Sequence, residues 1–184
     1  AYSHSYALDT VAPTTAFSSI ALSADTGTSG SDFITRTASQ TITATLSGAP
    51  AANDIVYGSV DGGATWIDIT SKVSGTTLSW NGAMLNAGSS AIMFKVSVAA
   101  GNDSSLSFQN YTLDTTAPTT SVATATFSND SGTSSTDFIT HTASQTLSGT
   151  LSPNLAAGER VYVSLDNGST WPPATATVGQ NTWS

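Results

Sequence analysis

The chain repeats itself at a fixed interval, and this limits its folds more than any other feature. "YALDTVAPTT" at 6–15 returns as "YTLDTTAPTT" at 111–120, "DTGTSGSDFITRTASQT" at 25–41 as "DSGTSSTDFITHTASQT" at 130–146, and "SVDGGATW" at 59–66 as "SLDNGSTW" at 164–171, each pair 105 residues apart. The register holds without a gap to the end of the 184 residues, with about half of the aligned positions identical. One structural unit is therefore present in two copies.

The unit reads as strands and turns. Thr, Ser, Ala, Val and Gly dominate, and of the twelve acidic residues only Glu159 is not Asp; straight-chain helix formers are scarce. "SQTITATL" (39–46) alternates, with Ile42, Ala44 and Leu46 on one face. "IVYGSV" (55–60) leads through a turn into "TWIDIT" (65–70). "AIMFKVSV" (91–98) points Ile92, Phe94, Val96 and Val98 inward, and "SLSFQNYTL" (105–113) supplies the last strand. A 105-residue all-β unit of this kind is the size of an immunoglobulin-like sandwich of Greek-key topology. The expected organisation is the last strand of a preceding domain over 1–10, a complete repeat over 11–115, and a second repeat over 116–184 without its final two strands. A window from a longer array accounts for this; the alternative is a fibre subunit completed by a neighbour's strand.

Carboxylates fall where such a topology brings loops together. The loop after the first strand, "ADTGTSGSD" (24–32), lies beside the exit of the last strand, so Asp25, Asp32 and Asp114 are expected to converge. Three carboxylates without a Lys or Arg repel one another and call for a cation. Asp side chains, loop carbonyls and the tight turn allowed by Gly27 suit Ca²⁺. The corresponding set at the joint before the first copy is Asp9, Asn102 and Asp103, and Asp130 and Asp137 serve the joint after the second. The linker "DTTAPTT" (114–120), stiffened by Pro118, makes each joint semi-rigid.

The ordered set "DTTAPTT", "DSGTSSTDFITHTASQTLSGTL" and "YVSLDNGSTW" closely resembles the bacterial Ig-like repeats of giant, type-I-secreted adhesins and biofilm-associated surface proteins. The resemblance spans essentially the whole chain. It implies an extracellular, cell-surface rod in which Ca²⁺ stiffens the joints between tandem sandwiches and adhesive modules sit at the far end. This segment would then be a spacer whose partners are neighbouring repeats and host or biofilm glycans. The loop "VAAGNDSS" departs from the family form, with Ala99 where an Asp usually stands.

Other functions are disfavoured by what is missing. A net charge of −8 with only four basic residues gives no phosphate-binding surface, so no nucleic acid is expected. There is no Cys for a disulfide, thiolate or zinc site, and no apolar run long enough to insert into a membrane. "SVDGGATW" has the form of the Asp-box of sialidases, but those propellers repeat every ~40–50 residues and need an arginine cluster. Arg36 and Arg160 occupy unrelated repeat positions, and His141 stands where the other copy has Arg36. No enzyme is expected. Trp66 and Trp171 follow the Asp-box turn in a strand whose partner carries Val56 and Val60. Packing across the sheet is their expected use, with carbohydrate stacking the alternative.

Overall fold

The computed structural model describes residues 2–27 and 29–184. It contains no α-helix among them, only one turn of 3-10 helix at Thr70–Lys72. The chain divides into two compact units, 1–115 and 116–184.

The first unit is a two-sheet sandwich. One sheet has the order β1 (Phe17–Leu22), β3 (Ser39–Leu46), β7 (Thr77–Met84), β6 (Val73–Ser74). The other runs β2 (Ile34–Thr35), β9 (Ser107–Leu113), β8 (Gly88–Ser97), β4 (Ile55–Ser59), β5 (Ile67–Asp68). All pairings are antiparallel except β2 with β9, where Ile34 and Thr35 lie parallel to Thr112 and Leu113. Strand alternation decides which residues fill the space between the sheets. Ile42, Ala44 and Leu46 from β3 and Ile92, Phe94 and Val96 from β8 are all buried, as their spacing predicts. Val98, expected inward, lies just beyond β8 and is half-buried. Phe94 holds the sheets together, stacked on Phe17 of β1 (4.9 Å between centroids) and edge-on to Trp80 of β7 (6.4 Å). β9 is fixed by Tyr111, whose hydroxyl donates to the Val60 carbonyl (2.6 Å) and accepts the Asn86 amide (2.9 Å). Residues 2–16 lie outside any strand.

The second unit holds one sheet, β10 (Ser121–Phe127), β11 (Leu147–Ser152) and β12 (Thr182–Trp183). Its registers are those of β1, β3 and β7. Val122 opposes Leu151 as Phe17 opposes Leu46, and Gly149 opposes Trp183 as Ala44 opposes Leu78. The last pair is a compensated exchange. A Cβ on Gly149 would run into the Thr124 carbonyl group of β10 and would also fall 2.8 Å from the Trp183 indole nitrogen, so both the neighbouring backbone and the larger side chain require glycine there. Leu151, Leu155, Val161 and Trp183 form this unit's core.

Candidate functional site

The most heavily repeated stretch of sequence folds into the same hydrogen-bonded loop in both copies. In the first, the Phe33 amide donates to Asp25 Oδ2 (2.9 Å), the Ile34 amide to Asp32 Oδ1 (3.0 Å), and Thr35 Oγ1 to the Ala24 carbonyl (2.6 Å). In the second, Phe138 donates to Asp130 Oδ2 (3.0 Å), Ile139 to Asp137 Oδ1 (3.0 Å) and Thr140 to the Asn129 carbonyl (2.8 Å). Phe33 and Phe138 both sit at φ 61°, a left-handed conformation that is unusual for an aromatic residue. Keeping it in both copies costs backbone energy, and the two carboxylates that accept the amides of the phenylalanine and of the residue after it hold it in place.

Each loop leaves one carboxylate oxygen without a partner. Among the described residues, Asp25 Oδ1 and Asp130 Oδ1 are buried and accept no hydrogen bond. A buried anionic oxygen in that state is costly unless water or a cation completes it. The space at Gly27 has the matching character. A Cβ there would lie 2.9 Å from the Ile34 carbonyl oxygen and 3.0 and 3.4 Å from the two oxygens of Asp32. At Gly132 the neighbours are the Ile139 carbonyl at 2.9 Å, Asp137 Oδ1 at 3.5 Å and the Ser134 carbonyl at 3.5 Å. At both positions glycine lets the loop backbone close up against oxygen atoms alone. An oxygen-seeking cation such as Ca²⁺ fits that donor chemistry better than any soft metal.

The carboxylates do not assemble as the sequence suggests. Among the described residues no three His, Cys, Asp or Glu side chains come together in a cluster able to hold a metal. Asp25 and Asp32 share a loop, but Asp114 does not join them as a third ligand. Its backbone amide instead continues the β2–β9 ladder by donating to the Thr35 carbonyl (2.9 Å), which fixes it at the strand end. In the other set, Asn102 and Asp9 do meet, through Asn102 Nδ2 and the Asp9 carbonyl (3.0 Å), while the Asp9 carboxylate caps the Val11 amide (2.9 Å). Asp103 is drawn away: it forms a 2.6 Å ion pair with Lys95 and a short hydrogen bond from Ser97. The Lys95 contact comes first among the causes that hold its pKa below the usual range. That carboxylate already has its cation, because the turn folds Asp103 back beside Ser97 of β8.

Sequence reasoning passed over Gln40, although its identity with Gln145 marked it. Gln40 is buried, and its amide group receives the Ala24 amide (2.9 Å) and the Ser23 hydroxyl (3.0 Å) while donating to the carbonyls of Ala24 (3.0 Å) and Thr37 (2.7 Å). It is the inner brace of the loop. His141 plays a similar local part. Its Nδ1 lies 2.7 Å from Ser131 Oγ, which also accepts the His141 amide. In the first copy Thr26 takes the Arg36 amide the same way (2.9 Å), so the serine–histidine contact belongs to the turn.

The two Asp-box turns are alike in detail. Ser59 donates to Asp61 (2.7 Å) and accepts the Gly63 amide (2.9 Å), and Asp61 accepts the amide (2.9 Å) and hydroxyl (2.5 Å) of Thr65. Ser164, Asp166, Gly168 and Thr170 repeat the pattern at 2.6–2.9 Å. Gly62 and Gly63 adopt φ 71° and 90°; Asn167, a residue that tolerates the left-handed region, replaces the first at φ 61°. The Thr65 hydroxyl, then its amide, pull the Asp61 pKa from 3.8 to about 2, and Thr170 does the same for Asp166. Because the folded value is depressed, this stabilisation is complete above pH 3.8 and disappears as pH falls through about 2. In an acid titration followed by circular dichroism, Asp61→Asn should therefore flatten the loss of stability between those limits. An unaltered slope would show the turn to be energetically silent.

The tryptophans after these turns do not pack on the valines. Val56 faces the core, whereas Trp66 lies on the outer surface beside Met93 and beneath the Lys95 ammonium, 5.0 Å from the ring. Trp171 is 59% exposed, its indole donating to the Gly168 carbonyl (3.1 Å). Strand parity explains this. Tyr57 opposes Asp68 and Gly58 opposes Ile67, so Trp66 shares the outward face of Tyr57.

Residues 10–115 match the family model of the bacterial Ig-like domain. No curated protein matches the chain significantly. No helix among the described residues is long and apolar enough to cross a membrane.

Proposed function

The chain belongs to the bacterial Ig-like domain family, a class of surface-protein modules that are typically structural rather than enzymatic, and from that premise we propose that it is a spacer of an extracellular bacterial adhesin or biofilm protein, stiffened by Ca²⁺. The observation that carries the calcium part is the buried, unpartnered carboxylate oxygen recurring at Asp25 and Asp130. Repetition in both copies, despite Ala24 becoming Asn129 and Gly30 becoming Ser135, argues that the oxygen answers to a common need. Asp25, Asp32 and the Ile34 carbonyl would hold the ion in the first copy, with Asp130, Asp137 and the Ile139 carbonyl in the second. Bound calcium supplies positive charge that offsets the paired acids and fixes a loop otherwise free to open. In the first copy that loop is tied, through Thr35 and Asp114, to the point where the chain leaves the sandwich. Order there is what a tether needs to resist bending.

The experiment compares thermal unfolding of the chain in EGTA and in excess Ca²⁺. A ligand at a hundred times its Kd stabilises the folded state by about 2.7 kcal/mol, so the melting temperature should rise by several degrees. Asp25→Asn with Asp130→Asn keeps an acceptor for the Phe33 and Phe138 amides but removes the charge, and should abolish the rise. Equal melting with and without calcium, together with no binding heat in calorimetry, refutes the calcium part and leaves the spacer role standing.

A further inference from the structure

The outer face of the β5–β4–β8–β9 sheet carries a built surface that a spacer does not need. Strand register lays it out in two rows. Trp66, Met93 and Phe108 form one, since Met93 opposes Ser59 on one side and Phe108 on the other. Tyr57 and Lys95, directly paired, form the next, extended by Leu106 just before β9. Phe108 is 62% exposed and Leu106 51%, both large for side chains on a sheet face. The Asp-box turn walls one side of a groove of about 400 Å³ over Trp66 and Met93, and Asp103 and Leu106 border the other. The bare backbone of Gly62 and Gly63 keeps the wall low, and a Cβ on Gly63 would come within 3.3 Å of the Met93 sulfur.

We propose that this groove binds a neutral carbohydrate. Sugars present apolar C–H faces and an equatorial rim of hydroxyls, so their sites combine aromatic platforms with paired donors and acceptors. Trp66, partly open at the groove, provides the first, and Phe108, next in the same row beyond Met93, extends it along the sheet face. The second comes from Lys95 and Asp103, joined at 2.6 Å in the middle of the patch with the Lys95 ammonium also 5.0 and 5.5 Å from the Trp66 and Tyr57 rings. The pair is neutral as a unit, offering an ammonium donor and carboxylate acceptors without a net field. Charge also separates this occupant from the others. A chain of net charge −8 repels a second copy of itself and any anionic surface, whereas an uncharged glycan meets no such barrier. The groove is also within the volume range of small-molecule sites.

The test uses the full chain carrying Trp171→Phe, which removes the other exposed indole. Cellohexaose, laminarihexaose, mannohexaose and chitohexaose are titrated against tryptophan emission, with saturation-transfer NMR as the second readout. At least one should bind with a Kd below about 1 mM, and Phe108→Ala and Lys95→Met should each weaken it tenfold or more. Because both positions are on the outer face, the variants should melt with the parent. No binding to any probe up to about 10 mM, or binding indifferent to both substitutions, overturns the proposal. So does tighter binding of polygalacturonate than of every neutral probe. Concentration-dependent dimerisation removed by Phe108→Ala would assign the face to self-association instead, with the same consequence.

Discussion

Phe94→Ala is expected to destabilise the first sandwich by about 3–5 kcal/mol, the range for emptying an aromatic position in a core. The value belongs at the upper end for two reasons. Phe94 is completely buried, and it is the residue through which the sheets touch, with Phe17 stacked on one side and Trp80 edge-on at the other. Those three come from β8, β1 and β7, so neither sheet alone can close over the gap. The neighbouring space is already tight: a Cβ on Gly58 would fall 2.7 Å from the Trp80 ring and 2.8 Å from Ile69 Cδ1, leaving no slack for collapse from that direction. Urea denaturation should move the midpoint of the corresponding transition down by about 2 M for an m-value near 2 kcal/mol/M. A shift below about 0.5 M would mean that the core refills the cavity.

Much of this core could be read in advance because alternation makes a strand's inner face explicit. Ile42, Ala44 and Leu46, and likewise Ile92, Phe94 and Val96, are each separated by one outward residue, and the sheets fill with them. Trp66 went the other way for a reason the same parity contains. A turn of the Asp-box type adds residues between two strands, and the face on which the returning strand resumes depends on the pairing, here Gly58 with Ile67. Knowing that a strand follows the turn does not supply that register. β7 illustrates another limit: "TLSWNGAM" holds Asn81 and Gly82 at its centre, where the pairing with β3 slips between Gln40 and Thr41, so its alternation breaks in mid-strand.

The loop was legible as a repeated motif and less so as a set of ligands. Repetition of "DTGTSGSDFIT" pointed to Asp25 and Asp32, and the network they join also takes in Thr35 and Gln40, whose recurrence as Thr140 and Gln145 was the signal left unused. Reading every acid there as a metal ligand overcounts, because a carboxylate has local amides to satisfy first. Asp9 caps Val11, and Asp103 answers Lys95 across a hairpin. Such competition is set by three-dimensional neighbours and leaves no mark in residue spacing. What does survive as unmet demand is one oxygen per loop.

That reasoning makes Gln40→Ala the sharpest probe of the loop. Its side chain is 2% exposed and makes four hydrogen bonds. Truncation leaves the Ala24 amide and the Thr37 carbonyl short of a partner, while the Ala24 carbonyl keeps the Thr35 hydroxyl. At 1–3 kcal/mol for a stranded buried group, a loss of about 2–3 kcal/mol is expected. Gln145 makes the corresponding bonds to Asn129, Ser128 and Thr142 but is only half-buried. Gln145→Ala should therefore cost about half as much, because solvent can take over part of its work. Gln40→Glu should be worse than alanine: the same length would aim a carboxylate oxygen at the Ala24 and Thr37 carbonyls, where a donor is required. Amide exchange at Phe33, read alongside chemical denaturation, distinguishes local from global loss. If the brace acts through the loop, Phe33 loses its protection at Asp25 in Gln40→Ala before the core unfolds. Retained Phe33 protection with an undiminished midpoint would place the stability of the loop in its backbone instead, and the identity of Gln40 and Gln145 would then need a different cause.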